Sequence, residues 1–132
     1  IGPQLAIKGA LKKAHLSSAD IQYINAHGTG TTNNDQSELR AIESVFSPVP
    51  PFSSTKSYMG HTLAASGGIE AVISVMSLQH KACYPLINWT NQMEGFESSP
   101  LVEYTKNDKL RHVLSNSFGF GGNASSLIFS AL

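Results

Sequence analysis

Ile21-Gln22-Tyr23-Ile24-Asn25-Ala26-His27-Gly28-Thr29-Gly30-Thr31 is the stretch that decides how this 132-residue chain folds. Its first six residues alternate and carry β-branched and aromatic side chains, as a half-buried strand does, and the strand ends at a histidine in a glycine-flanked turn. Beyond the turn, acidic Asp35 and Glu38 followed by Leu39, Ile42 and Phe46 on one side predict a helix over 35–46, stopped by Pro48, Pro50 and Pro51. Before it, Pro3 suits a first helical turn, and Ile7, Ala10, Leu11 and Ala14 recur at the i, i+3, i+4, i+7 spacing of one buried face. A helix over 3–15 follows, joined to the strand by polar Ser17-Ser18-Ala19-Asp20.

Further along, Phe52-Ser53-Ser54 is a short strand candidate. After Gly60-His61 an apolar stretch runs to Leu78 with Leu63, Ala64, Ile69, Ala71, Val72, Ile73, Val75 and Met76 distributed all round, which predicts a helix buried on most sides. Strands are predicted over 83–87, 101–104, 112–117 and 126–129, with an irregular polar loop from Asn88 to Pro100. Helix and strand alternate first and strands dominate later, so the fold class is α/β with a mixed sheet, and residues 1–132 read as a single domain.

The formal net charge is zero and Lys and Arg are scattered, which argues against a nucleic-acid surface. No apolar run reaches the roughly 20 residues that span a bilayer, so no membrane partner is expected. A single cysteine excludes an internal disulfide framework and suits a reducing cytoplasm. Charged residues make up only 14% of the chain, against about a quarter in typical domains, which suggests that much of the surface meets other protein.

Ligands of open α/β sheets bind beyond the carboxyl ends of strands, where His27 stands, with Thr29 and Thr31 offering hydroxyls on alternate positions. A lone histidine there reads equally well as the filler of a tight turn. His61 precedes the apolar helix, whose free N–H groups and dipole favour a neutral imidazole; capping is its plain alternative. Glu70 is the only formally charged residue between Lys56 and Lys81. Inside so apolar a helix its carboxylate needs a partner, and Lys56 is the candidate, unless Glu70 points to solvent along a narrow polar edge with Ser66 and Ser77. The run Asn116-Ser117-Phe118-Gly119-Phe120-Gly121-Gly122-Asn123 has more glycine than a hairpin requires, and its N–H groups suit an oxyanion hole or a plain β-turn. It lacks the dinucleotide fingerprint, so no cofactor is expected. Cys83 lies in a strand-like segment without the positive surroundings that activate a thiol and reads as a packing residue. His27 and His61 have no Cys or His neighbours at zinc-ligand spacing, so no metal centre is expected.

Taken jointly, Asn25 to Thr31, Ser54-Thr55-Lys56-Ser57-Tyr58-Met59-Gly60-His61 and Asn116 to Gly122 resemble the C-terminal half of elongating β-ketoacyl-[acyl carrier protein] synthases of the thiolase superfamily. The resemblance implies one half of a layered α-β-α-β-α fold, the other half donating a nucleophilic cysteine that this chain lacks. It implies decarboxylative Claisen condensation of an acyl thioester with malonyl carrier protein in fatty acid or polyketide and polyene synthesis. His27 and His61 would hold the thioester carbonyl, Lys56 would tune them, and Glu70 would hold Lys56. Thr29 and Thr31 would contact the pantetheine arm, while Phe120 would be the gate beside the acyl cysteine, with its N–H in the oxyanion hole. Asn25, Glu70, Ser115 and Asn116 are similar to positions that enclose a monovalent cation. One departure concerns the glycine turn, where Asn123 follows Gly122 directly although the family commonly has one more residue between them.

The expected partners are acyl carrier protein and the N-terminal half, with a dimer as the expected assembly. Without the cysteine the chain alone is expected to be inactive. The alternative is a non-catalytic partner subunit resembling a chain length factor, or an assembly module.

Overall fold

The computed structural model describes residues 1–132. Helix α1 (Gly2–Ala14) leads through a short 3-10 turn to strand β1 (Tyr23–Asn25). Helix α2 (Thr32–Val45) and strand β2 (Phe52–Ser53) follow, then a short helix α3 (Lys56–Met59) and the long helix α4 (Ser66–His80). Strands β3 (Ala82–Cys83), β4 (Thr105–Lys106), β5 (His112–Phe118) and β6 (Ala124–Ser130) complete the chain. The main sheet has the order β2-β1-β5-β6, in which β1 is parallel to β2 and β5 while β6 runs antiparallel to β5. The predicted mixed sheet is therefore present, and β3 and β4 form a separate antiparallel pair.

Strand alternation sorts the two faces of this sheet. Ile24, Ala26 and Leu114 point to α1 and α2, where Ile7, Leu11, Ala41, Ile42 and Phe46 close the larger core. Tyr23 and Val113 point to the other face and join Leu78, Cys83 and Leu110 in a smaller core. Cys83 packs there as expected, and burial pushes its thiol up to about 11.

Helix α4 covers the second face, and here the expectation from sequence needs correcting. The helix starts at Ser66, five residues after His61, and it is not buried on most sides. Its buried residues are Ser66, Glu70, Ser74, Ser77 and Leu78, whereas Leu63 just before it is 72% exposed and Val72 60%. The polar edge faces the sheet and the apolar remainder faces out. Close approach explains the small residues inside: at Gly67 a β-carbon would come within 3.2 Å of Ser117 Oγ. Other boundaries also move. The strand expected over 83–87 is only Ala82–Cys83, and the one expected over 101–104 lies instead at Thr105–Lys106, which pairs with it. Pro85 and Pro100 stand beside those segments, and proline cannot donate to a ladder.

Candidate active site

Strand β1 ends at Asn25, and His27 lies in the following turn with its side chain buried. Two carboxylate oxygens fix that turn. Glu38 Oε1 accepts the His27 N–H at 2.9 Å and Glu38 Oε2 accepts the Gly28 N–H at 2.8 Å, while Asn116 Nδ2 donates to Oε1 at 3.0 Å. Gly28 has φ +40°, and any β-carbon there would overlap the Cβ of Ser54. The spacing of Glu38 and Ile42, one turn apart, places this carboxylate beside the apolar face of α2, a signal that sequence reading passed over. Burial pushes the Glu38 carboxyl up despite these donors.

Lys56 opens α3 and is buried. Its Nζ donates to the His27 carbonyl at 2.7 Å, lies 3.2 Å from His27 Nδ1 and is salt-bridged to Glu70 Oε1. Glu70, at 2% exposure, reaches Lys56 from the inner face of α4, so the solvent-facing alternative for it is excluded. Burial raises the Glu70 carboxyl in spite of the Lys56 partner. For His27, burial first, then Lys56, then His61 lower the imidazole to about 4. The ring is thus neutral near pH 7. With the Lys56 ammonium against Nδ1, the ring proton sits on Nε2.

His61 enters from the turn between α3 and α4. Leu63 donates its N–H to His61 Nδ1 at 3.0 Å, so Nδ1 is an acceptor and Nε2 again carries the proton. The rings of His27 and His61 lie 5.5 Å apart, nearly perpendicular at 88°. Phe118 packs edge-on against His27 at 5.6 Å between centroids. Two imidazoles from separate segments thereby meet edge to face. Thr29, Lys56 and His61 also line a cavity of about 490 Å³ completed by Leu86, Trp89 and Met93.

Other candidates are placed differently. Thr29 and Thr31 hydrogen-bond each other at 2.8 Å at the rim of the turn. Phe120 is 98% exposed on the glycine turn, which Asn123 closes by accepting the Gly119 N–H on its carbonyl at 2.8 Å; Phe118, not Phe120, contacts a histidine. Asn25 and Ser115 are direct neighbours across β1 and β5, with Asn116 next along β5. Asn25 Nδ2 donates to the Glu70 carbonyl at 3.1 Å, and Asn25 Oδ1 is buried without a donor, as suits a cation ligand. The Asn116 side-chain oxygen takes the Ser126 hydroxyl at 2.7 Å and Glu70 takes Lys56, whereas Asn25 Oδ1 stays buried without a donor.

Fold and site together define a thiolase-like α/β half-domain of the ketosynthase kind. A ketosynthase solved with its type II polyketide synthase acyl carrier protein and bound to the hexaketide superposes with a TM-score of 0.92 at 30% identity, covering 98% of this chain and 33% of that one. The ketosynthase ApeO of Xenorhabdus doucetiae, solved with its chain length factor ApeC, gives 0.88 at 38% identity over 98% of this chain and 33% of its own. The chain belongs to the β-ketoacyl synthase, C-terminal domain family, whose pattern matches residues 2–90. Among its relatives, 3-oxoacyl-[acyl-carrier-protein] synthase 2 of Vibrio cholerae is 39% identical over 137 residues, covering 99% of this chain and 33% of the relative. The chain spans about a third of the length of such relatives.

Proposed function

We propose that this chain supplies the decarboxylating half of an elongating β-ketoacyl-[acyl carrier protein] synthase. The observation that supports this most is the pair of imidazoles with ring centroids 5.5 Å apart, each with Nδ1 engaged so that Nε2–H is left for a ligand. A malonyl thioester oxygen between them accepts both donors. When the bond to carbon dioxide breaks, its electron pair moves towards that oxygen, and the two N–H groups stabilise the enolate more than the ground-state carbonyl. Lys56, held by Glu70, orients His27, which burial first and then the Lys56 charge keep uncharged. Thr29 and Thr31 at the rim meet the pantetheine arm of the acyl carrier protein, and Phe120 gates the acyl cysteine. That cysteine comes from an N-terminal half seated on the apolar side of α4. A monovalent cation at Asn25 Oδ1, near Glu70, Ser115 and Asn116, belongs to the scaffold and takes no part in the chemistry. The retained His27, Lys56 and His61 favour an enzyme over a non-catalytic partner.

The test is reconstitution. The chain alone should form no ketoacyl product from malonyl carrier protein, because the acyl cysteine is absent; joined to a cysteine-bearing half it should. In that complex His27→Ala and His61→Ala should each lower decarboxylation by roughly 10²–10³-fold, the usual cost of an oxyanion donor. Full activity in either variant would refute the assignment.

A further inference from the structure

We infer that Ser66 is a positioning residue for His61. The inference rests on the proposed role of His61 and extends it to the helix behind the ring. Ser66 is the first residue of α4 and is 6% exposed, while His61 itself is exposed. Its Oγ lies 3.0 Å from His61 Nδ1. That nitrogen already accepts the Leu63 N–H at 3.0 Å, and a backbone N–H can only donate. Nδ1 is therefore unprotonated, and the Ser66 hydroxyl is a second donor to the same lone pair. Thr62 Oγ1, 3.3 Å from Ser66 Oγ, completes a short chain of hydroxyls behind the ring.

The two donors do different things. Leu63 belongs to the same turn as His61, so its N–H moves with the turn and cannot set where the ring sits relative to the rest of the site. Leu63 also holds φ at 52°, a left-handed conformation that side-chain-bearing residues adopt rarely and that persists only where the surroundings hold it, so the turn depends on contacts outside itself. Ser66 belongs to α4, the helix that also carries Glu70 and through it Lys56. The Ser66 hydroxyl thus ties the His61 ring to the element that fixes His27, setting the distance between the two Nε2–H donors. A serine with this geometry acts as the outer partner that orients an imidazole, as a hydrogen bond to the far nitrogen does for metal-bound and catalytic histidines.

Imidazole nitrogen-15 spectra of the chain test the contact directly. Ser66→Ala should move the His61 Nδ1 resonance towards the value of a less hydrogen-bonded nitrogen, and Ser66→Thr, which keeps the hydroxyl, should restore it. In the reconstituted complex Ser66→Ala should lower kcat for decarboxylation roughly 3- to 10-fold, the worth of one hydrogen bond, with KM unchanged and Ser66→Thr close to wild type. Unmoved His61 resonances in Ser66→Ala overturn the proposal, as does an equal loss of kcat in Ser66→Ala and Ser66→Thr. If His61→Ala retains activity, it is the proposed function that fails, and the resonances still decide Ser66.

Discussion

At the scale of single residues, His27, Glu38, Lys56 and Glu70 are buried polar groups that stand because each has a partner. His27 is the clearest. Its imidazole is held at about 4 against an ordinary 6.5, so the unfolded chain takes up a proton in that interval and the folded chain does not. Stability from this residue is complete above about 6.5 and drains away as pH falls towards 4. Glu70 and Glu38, both raised, act in the opposite sense, so the measurement is a comparison. Between these pH values wild type should lose on the order of 2 kcal/mol more than His27→Gln in urea titrations. Glu38 gives a second test. A glutamine has one acceptor oxygen for two backbone N–H groups, so Glu38→Gln should cost roughly 1–3 kcal/mol at neutral pH in the same titrations. The motifs around His27, Lys56 and His61 were legible because glycine, histidine and lysine stand out in a sequence. Glu38 and Ser66 were not, since an acidic residue in a first helical turn and a serine among alanines have ordinary explanations there.

At the scale of elements, α1, α2, β1, β5 and β6 follow from periodicity because each buries an apolar face against this chain's own core. Helix α4 breaks that rule. Composition predicts a helix wrapped in protein, yet its inner side is serine and glutamate and its outer side is Val72, Val75 and Met76. Hydrophobicity reports that a residue is to be covered without saying by which polypeptide, and so the side turned towards the sheet was misjudged. Substitution separates the two roles. Val72→Asp and Met76→Lys should change the stability of the chain by no more than about 0.5 kcal/mol, as exposed positions do. The same changes should abolish association with the cysteine-bearing half in a pull-down.

At the scale of the whole molecule, a chain covering about a third of its relatives' length presents one finished face and one open face. Exposed apolar patches of this kind are uncommon on monomers. Sedimentation of the isolated chain should therefore show concentration-dependent self-association, and Val72→Asp should suppress it; a stable monomer at high concentration would count against an unfilled interface. The inverted helix α4 has one more consequence. Ser66 and Glu70 hang from the same rigid rod, so whatever presses on its far side also sets the spread of the two imidazoles. Under the proposed function, assembly and chemistry then share a lever: a loosely seated partner should yield a blunted reaction centre even when every reactive atom is present.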